Sequence, residues 1–436
     1  LGDLPAARGH LEAALQGFGV RTRVPGLGGN FADAATMVVV LARQLARVVG
    51  VSRTEDVRDR ERLREATRAM ERLSQVDYFL NRQTAAFLDG LECLRLAERL
   101  GPTPELARAY ATLEVALGFV PARGLAARCG QRAQAIAEDV DDAPASAYVG
   151  LLRGLHAINE GRHRDARGHL RRACELARLS KDVRTEQEAS ANLGQAHALG
   201  GDRHAAQRCY HELLRSAERS HNRQAMSWAF SGMAALHLHR GHLAEAVDYF
   251  DRAHAFADDT ADVTEELSHG LVAVAHLIGG DIDRALAIAA RIAKLSEAPP
   301  TAWHAQLGYQ AAVEVYLSAW ETAGRDDLAE AARRAEALFF KSCRVLPVGR
   351  PTALMLRGCR AHLEGRTAYA ERQWRAAVRY ATDHDLPLDL GRTLYEWGRR
   401  LPPKDARRRG LLDRAVVALG RAQCRLWQER ALEARG

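Results

Sequence analysis

The sequence predicts an all-α protein that is built from a stack of repeated helical hairpins. A glycine returns about every forty residues, each time with an alanine five positions later. The six pairs are Gly161/Ala166, Gly201/Ala206, Gly241/Ala246, Gly280/Ala285, Gly324/Ala329 and Gly365/Ala370. Runs of alternating β-branched residues extend over only a few positions, so strands are not expected. A fixed period of this size is typical of an array in which each repeat contacts only its neighbours.

One repeat, residues 147–177, shows how each hairpin is encoded. Apolar side chains recur at helical spacing from Tyr148 to Ile158 and predict an amphipathic first helix. Gly161 then ends this helix, because glycine readily takes the left-handed conformation that a helix end needs. A second helix with small residues such as Ala166 follows at once. Because the turn is short, the two helices must be antiparallel neighbours.

These residues resemble the tetratricopeptide repeat. That repeat has a small residue seven positions before the turn glycine and a large one nine positions after it. The small position holds Gly154, Gly194 and Gly358, and the large position holds Leu170, Tyr210, Phe250 and Trp374. The repeats at Gly280 and Gly324 depart from the pattern, with Ala289 and Arg333 at the large position. The resemblance implies a right-handed α-solenoid of about eight to nine antiparallel hairpins, with a period near 40 residues instead of about 34.

A second resemblance is narrower. Residues 94–110 are similar to the C-terminal repeat region of large bacterial signalling ATPases. In those proteins a nucleotide cyclase, a protein kinase or a DNA-binding module is joined to a signal-transducing ATPase, and helical repeats follow. A helix outside the repeat register is predicted at residues 31–49, between one hairpin and the first full repeat. This position is similar to the layout of those proteins. The chain also begins inside what reads as the second helix of a hairpin, so we expect it to be part of a longer protein.

The predicted organisation has three parts. Residues 1–60 form a partial hairpin, a loop and the non-repeat helix, residues 61–391 form the repeat array, and residues 392–436 form a basic linker and a closing hairpin. The last part carries twelve Arg and Lys against five Asp and Glu, which accounts for the whole formal charge of +7. This surplus indicates either an electrostatic contact with nucleic acid or an acidic partner, or a solvated terminal helix. We favour the solvated helix.

The motifs of the chain argue against an enzyme. Neither the phosphate-binding pattern Gly-x-x-x-x-Gly-Lys-Ser/Thr nor the nucleophile pattern Gly-x-Ser-x-Gly occurs in the sequence. His237 and His239 would point about 200° apart around a helix, so they do not form a metal-binding pair. We therefore expect no catalytic residue, no cofactor and no metal site.

The cysteines and the hydropathy pattern bear on the compartment. Seven cysteines are scattered without a Cys-x-x-Cys pair, which predicts reduced thiols in a cytoplasmic protein. No segment reaches the apolar length of a membrane span, and the first residues do not resemble a signal peptide.

The remaining candidate site is the concave groove that the first helices of such repeats line. The residues predicted to face it are Tyr148, Leu151, Leu155, Gln195, Trp228, Ser231, His239 and Met355. Tyr148 and Trp228 are the expected anchors, because aromatic side chains dominate binding hot spots. The alternative is that both belong to the core of their own repeats.

The expected function is a non-enzymatic interaction or sensor scaffold. Its partner would be a protein or peptide in the groove, or the upstream domains of the same polypeptide, and a homo-oligomer is left open. The first alternative is a free-standing adaptor that assembles partner proteins or itself. The second is a nucleic-acid-associated regulator that uses residues 392–436, although we do not expect nucleic acid to be the partner.

Overall fold

The computed structural model describes residues 4–20, 57–80, 82–119, 122–257, 263–297, 300 and 302–436. The helix predicted at residues 31–49 lies outside the described residues. Within them all regular secondary structure is helical, as the sequence predicts. The first helices are α1 Leu4–Gly17, α2 Val57–Phe79, α3 Gln83–Leu100, α4 Pro104–Gly118, α5 Arg123–Val140, α6 Ala143–Asn159, α7 His163–Leu179 and α8 Val183–Leu199.

The remaining helices continue the array to the end of the chain. They are α9 Arg203–Ser220, α10 Arg223–Arg240, α11 Leu243–Phe256, α12 Val263–Ser268, α13 Leu271–Ile278, α14 Ile282–Leu295, α15 Gln306–Ala323, α16 Asp326–Ser342, α17 Arg350–Leu363, α18 Thr367–Asp383, α19 Pro387–Arg400, α20 Ala406–Arg421 and α21 Arg425–Arg435. Short 3-10 turns at Trp303–Ala305 and Pro347–Gly349 precede α15 and α17. The chain is an all-α solenoid of helical hairpins.

The repeat glycines form the turns that the sequence predicts. All six have a positive φ, between 64° and 90°. This left-handed conformation is strained for side chains with a Cβ atom and free of strain for glycine. Gly280 and Gly324 share it, so the two repeats that depart from the pattern at their large position still form hairpins.

The small and large positions of the repeat pack against each other. Gly154 lies over Leu170, Gly194 over Tyr210 and Gly358 over Trp374. A Cβ atom built on Gly194 would lie 2.7 Å from Cε1 of Tyr210, closer than carbon atoms can approach. The glycine therefore sets the distance between the two helices of a hairpin, as the resemblance to the tetratricopeptide repeat implies.

The chain divides by its internal contacts into two compact units. The first comprises Leu1–Arg153 and Glu175–Thr185, and the second comprises Gly154–Cys174 and Glu186–Gly436. The three parts predicted from the sequence, with boundaries at residues 60 and 391, were defined by repeat register and charge instead of contacts. That division stays a prediction.

The first unit has a leucine-rich core between consecutive helices. Met70 and Leu73 of α2 are fully buried and pack in one cluster with Leu94 of α3. An ion pair fastens α1 to α2, because Arg8 Nε donates to Asp77 Oδ1 at 2.7 Å.

The second unit has a core that is richer in aromatic residues. Phe339 of α16 and Trp374 of α18 are almost completely buried. The ring of Trp374 stacks on Trp397 of α19 with centroids 6.2 Å apart. Its indole Nε1 donates to the carbonyl oxygen of Met355 at 3.1 Å, which ties α18 to α17.

The last helices of the second unit return to its first ones. Arg164 Nη2 donates to Oδ2 of Asp385 at 2.7 Å, and His163 Nε2 lies 3.0 Å from the carbonyl oxygen of Asp385. The backbone N–H of His204 donates to Oε1 of Gln423 at 3.2 Å. We call this region the closure contact, and it comprises His163, Arg164, Gly201, His204 and His239 on one side and Asp385, Arg421, Gln423 and Cys424 on the other.

Candidate functional site

A stripe of partly exposed residues runs along the first helices α8 and α10 in the second unit. Its members recur at steps of three and four residues, so they share one helix face. We call this face the inner stripe, and its residues are Glu188, Ala191, Asn192 and Gln195 on α8 and Gln224, Trp228, Ser231, Ala235 and His239 on α10. None of these residues is Lys or Arg.

The inner stripe faces later parts of the same unit. The indole Nε1 of Trp303 donates to Oδ1 of Asn192 at 3.0 Å, across 111 positions of sequence. The thiol of Cys424 donates to the carbonyl oxygen of His239 at 3.5 Å, across 185 positions. Trp303 is itself buried. An aromatic ring of the chain therefore already lies against the stripe.

Two of the predicted groove residues belong to the first unit. The hydroxyl of Tyr148 accepts a hydrogen bond from Gln75 at 3.3 Å and lies 3.2 Å from the hydroxyl of Thr112. The guanidinium of Arg108 lies 3.9 Å from the centre of the Tyr148 ring. Leu151 is 1% exposed. The ring and hydroxyl of Tyr148 therefore contact other helices of its own unit.

The other six lie in the second unit, in different surroundings. Leu155 and Ser231 are half-buried, and Oε1 of Gln195 accepts from the Tyr210 hydroxyl at 3.5 Å. Half-buried Trp228 packs beside a cluster of Leu213 and small residues of α9 and α10. Met355 is buried at 1% exposure. Gln195, Trp228, Ser231 and His239 are the predicted residues that share the inner stripe.

His239 adjoins a group of charged residues near the end of the stripe. Burial, and then the guanidinium groups of Arg203 and Arg392, lower the pKa of His239 well below its ordinary value. Arg392 Nη1 pairs with Glu314 at 2.7 Å. Burial raises the pKa of Asp389, whose Oδ1 accepts from Thr352 Oγ1 at 2.5 Å.

The other basic residues near the C-terminus mostly make contacts within the chain. Arg399 and Arg400 both donate to the carboxylate of Glu321, at 2.8 Å and 2.9 Å. Arg407 pairs with Glu371 of α18 at 3.1 Å. Arg408 donates to backbone carbonyl groups around the end of α19, including Leu401 at 2.8 Å. Their charge therefore serves largely to fasten α19–α21 to neighbouring helices.

The described residues contain no metal-binding cluster, no disulfide and no helix suited to span a membrane. No group of three or more His, Cys, Asp and Glu is arranged there to hold a metal ion. None of the seven cysteines forms a disulfide. None of the helices in the described ranges combines the length and the apolar composition that a membrane span needs.

Sequence reasoning missed Trp303 and Arg203. Trp303 lies in a weakly patterned segment after α14, and Arg203 is one of many arginines at helix starts. The significance of Trp303 depends on its contact with Asn192, 111 positions away, for which the repeat pattern has no signal.

Solved structures of other proteins share this architecture. NprR in complex with its cognate peptide NprX matches with a TM-score of 0.50 and 13% identity, covering 88% of this chain and 99% of that chain. The human IFIT1 dimer with m7Gppp-AAAA matches with a TM-score of 0.50 and 12% identity, covering 92% of this chain and 85% of that chain. At such low identity the likeness shows the fold alone. It supports an all-α solenoid of tetratricopeptide-like hairpins.

Yeast Tom70 aligns more loosely, with a TM-score of 0.30 and 13% identity over 92% of this chain and 88% of that chain. No family model matches the sequence, and no curated protein matches it. The comparisons indicate no catalytic family.

Proposed function

We propose that this chain is a non-enzymatic binding scaffold whose inner stripe holds a peptide segment of a partner protein. The observation that carries this proposal is the hydrogen bond from Trp303 to Asn192, which seats an indole ring against the stripe. An aromatic residue of a partner would find the same acceptor, and half-buried Trp228 on α10 belongs to the same stripe. Aromatic anchors of this kind contribute much of the binding energy in peptide and protein interfaces.

The charge of the inner stripe favours a peptide over a nucleic acid. Nucleic-acid affinity depends on Lys and Arg that neutralise phosphates, and the stripe has neither. The basic residues of 392–436 are largely engaged in contacts within the chain. The fold itself is compatible with either ligand, since NprR holds a peptide and IFIT1 holds m7Gppp-AAAA.

We place the scaffold in a larger bacterial signal-transduction ATPase, as its C-terminal regulatory region in the cytoplasm. The resemblance of residues 94–110 supports the ATPase, and seven reduced thiols support a reducing compartment. Regulation requires different contacts in two states. A peptide that binds after Trp303 leaves Asn192 would provide that difference. The alternative is a free-standing adaptor that binds partner proteins or further copies of itself.

Site-specific photocrosslinking tests the proposal. A photoreactive amino acid replaces Gln195 on the inner stripe, and a second variant carries it at Arg334, which is exposed on α16. Both proteins are irradiated in lysate of the source cells and the products are sequenced by mass spectrometry. We expect a peptide of one defined protein to be linked at position 195 and absent at position 334.

The source of the linked peptide separates the alternatives. Peptides from an ATPase of the same polypeptide support regulation in cis, peptides from another protein support an adaptor, and peptides of this chain support self-association. Trp228→Ala should remove the product, whereas Trp320→Ala, a half-buried tryptophan of α15, should keep it. Equal crosslinking at positions 195 and 334 would rule out the inner stripe as the binding site.

A further inference from the structure

His163, the first residue of α7, is a histidine held inside the closure contact. Its side chain is 2% exposed. A Cβ atom built on Gly200 would lie 2.7 Å from Nδ1 of His163, so the imidazole packs directly against the turn between α8 and α9. On its other side Nε2 lies 3.0 Å from the carbonyl oxygen of Asp385, in the turn between α18 and α19. The ring therefore lies where three turns that are distant in sequence meet.

The hydrogen bond to Asp385 determines which nitrogen of the His163 ring carries the proton. A carbonyl oxygen can only accept, so Nε2 is the donor and Nδ1 of the neutral ring has no proton. Nδ1 is shielded from solvent and has no hydrogen-bond partner among the described residues. A second proton could enter the ring only at Nδ1, where it would meet neither water nor an acceptor. Because an unsatisfied buried donor with a charge is costly, the closed arrangement favours the neutral ring.

The electrostatic surroundings of His163 favour the neutral ring as well. The charged and titratable groups around it are Arg164 and Arg167 on α7, Asp202 in the turn after α8, His384 and Asp385 after α18, and Arg421 at the end of α20. Burial, and then the guanidinium of Arg167, lower the pKa of His163, whereas the carbonyl and carboxylate groups of Asp385 act in the opposite direction. The net shift is downward, as expected for a cation excluded from water.

Asp385 connects His163 to the rest of the closure contact. Its Oδ2 accepts from Arg164 at 2.7 Å, and its Oδ1 accepts from Arg421 at 2.9 Å. One carboxylate therefore joins α7 to α20, while the carbonyl group of the same residue holds the imidazole. Ion pairs that are partly exposed contribute little each. A penalty at the buried imidazole is therefore large by comparison.

We propose that the closure contact is an acid-sensitive latch, which opens when His163 gains a second proton. Once the contact is open, the imidazole is in water and titrates near its ordinary pKa of about 6.5. Because the closed arrangement lowers this pKa, the contact has its full strength above about pH 6.5 and weakens as the pH falls below it. One proton taken up on opening changes the ratio of open to closed chains by up to about tenfold per pH unit.

Opening of the latch would also uncover one end of the inner stripe. In the closed arrangement the thiol of Cys424 donates to the carbonyl oxygen of His239 at 3.5 Å. This carbonyl group becomes accessible when α20 and α21 move away from α10. The latch does not depend on whether a peptide binds the inner stripe.

Resonance energy transfer between two labels measures the opening directly. One label replaces Gly168 on α7, where a side chain would meet nothing within 4 Å, and the other replaces Val417 on α20, which is 66% exposed. We expect the transfer to fall between about pH 7.5 and about pH 5.5 at constant ionic strength, while circular dichroism shows intact helices. Constant transfer would refute the latch. So would a loss of helix over the same range, because acid would then unfold the chain instead of opening it.

His163→Gln tests whether His163 is the group that responds. The glutamine amide can donate to the carbonyl group of Asp385 as the imidazole does, and it takes up no proton in this range. The transfer should therefore stay high at both pH values. His10→Gln, at an exposed position of the first unit, should keep the wild-type response. A response of wild-type size in His163→Gln would contradict the proposal, because another group would then be responsible.

Arg421→Met serves if His163→Gln does not close at either pH. It removes one of the two ion pairs of Asp385, so the latch should open at a higher pH than in the wild type. Arg425→Met removes an exposed pair with Glu429 within α21 and should leave the midpoint of opening unchanged. The same midpoint in Arg421→Met as in the wild type would show that Asp385 does not hold the latch closed.

Discussion

Gly194 shows how one missing side chain fixes the distance between two helices. It lies in the middle of α8 and faces the ring of Tyr210 on α9. We expect Gly194→Ala to reduce the free energy of unfolding by about 1–3 kcal/mol, because the added methyl group must push the buried ring aside. Urea unfolding followed by circular dichroism measures this loss.

Gly168 provides the matched control for this substitution. It also lies within a helix, α7, but a Cβ atom built there meets nothing within 4 Å. Gly168→Ala should therefore stabilise the chain by about 0.5–1 kcal/mol, through helix propensity alone. Equal effects at the two positions would contradict a role of Gly194 in helix approach.

A second residue-level prediction concerns Asp89 in the first unit. Burial and the neighbouring carboxyl group of Asp77 raise the pKa of Asp89 to about 8. The folded chain therefore holds a proton that the unfolded chain releases near pH 4. Since the folded state binds the extra proton, the free energy of unfolding should fall as the pH rises from about 4 to about 8.

Asp89→Asn should remove this pH dependence. The amide can still donate a hydrogen bond to Asp77, and it cannot lose a proton in this range. Denaturant melts at pH 5 and pH 8 should then differ less in the variant than in the wild type. Asp139→Asn, an exposed position of the same unit, should keep the wild-type slope.

At the scale of the elements, the closure contact can be tested through two glycines that have the same backbone conformation. Gly201 has a φ of 89° and Gly280 a φ of 90°. A Cβ atom at Gly201 would lie 2.8 Å from the carbonyl oxygen of Arg421, whereas at Gly280 it would meet nothing within 4 Å. Replacing either glycine by alanine brings the same left-handed strain. The difference in stability between the two variants therefore measures the contact of Gly201 with Arg421.

We expect Gly201→Ala to lose more stability than Gly280→Ala. The strain common to both should cost about 1–2 kcal/mol, and only Gly201→Ala should also loosen α20 and α21. Hydrogen exchange of these two helices reports the loosening. Equal protection in the two variants would mean that the closure contact contributes little to their stability.

The elements that the sequence predicts well are those with a local cause. The helix before Gly241 ends at Arg240 because glycine can take the left-handed turn, and Gly194 and Tyr210 meet because they belong to one hairpin. Each of these contacts is encoded within about forty residues.

The site could be predicted only in part, for the same physical reason. Trp228 and Ser231 share a helix face with a periodicity that the sequence displays. Asn192 meets Trp303 only because small rotations between successive repeats add up over several hairpins. Those rotations depend on packing details that no single repeat contains, so neither this pair nor the burial of Arg203 has a sequence signal.

At the scale of the whole molecule, residues 392–436 are predicted to stabilise helices far away in the sequence. Trp427 packs against Tyr395, and Cys424 contacts His239 of α10. Deleting residues 392–436 should therefore increase hydrogen exchange in α9 and α10. Helices α4 and α5 of the first unit provide the internal reference. Unchanged exchange in α9 and α10 would show that the tail is dispensable for the second unit.

The closure contact also limits how this chain can evolve. An open solenoid can gain or lose a hairpin by duplication or deletion, because each repeat touches only the next. Between Gly201 and Arg421 the number of hairpins must instead bring two distant turns to within atomic contact. One added hairpin would move Gln423 away from His204 and break the hydrogen bond between them. Relatives of this protein should therefore vary in sequence and loop length along this stretch while keeping the same repeat count.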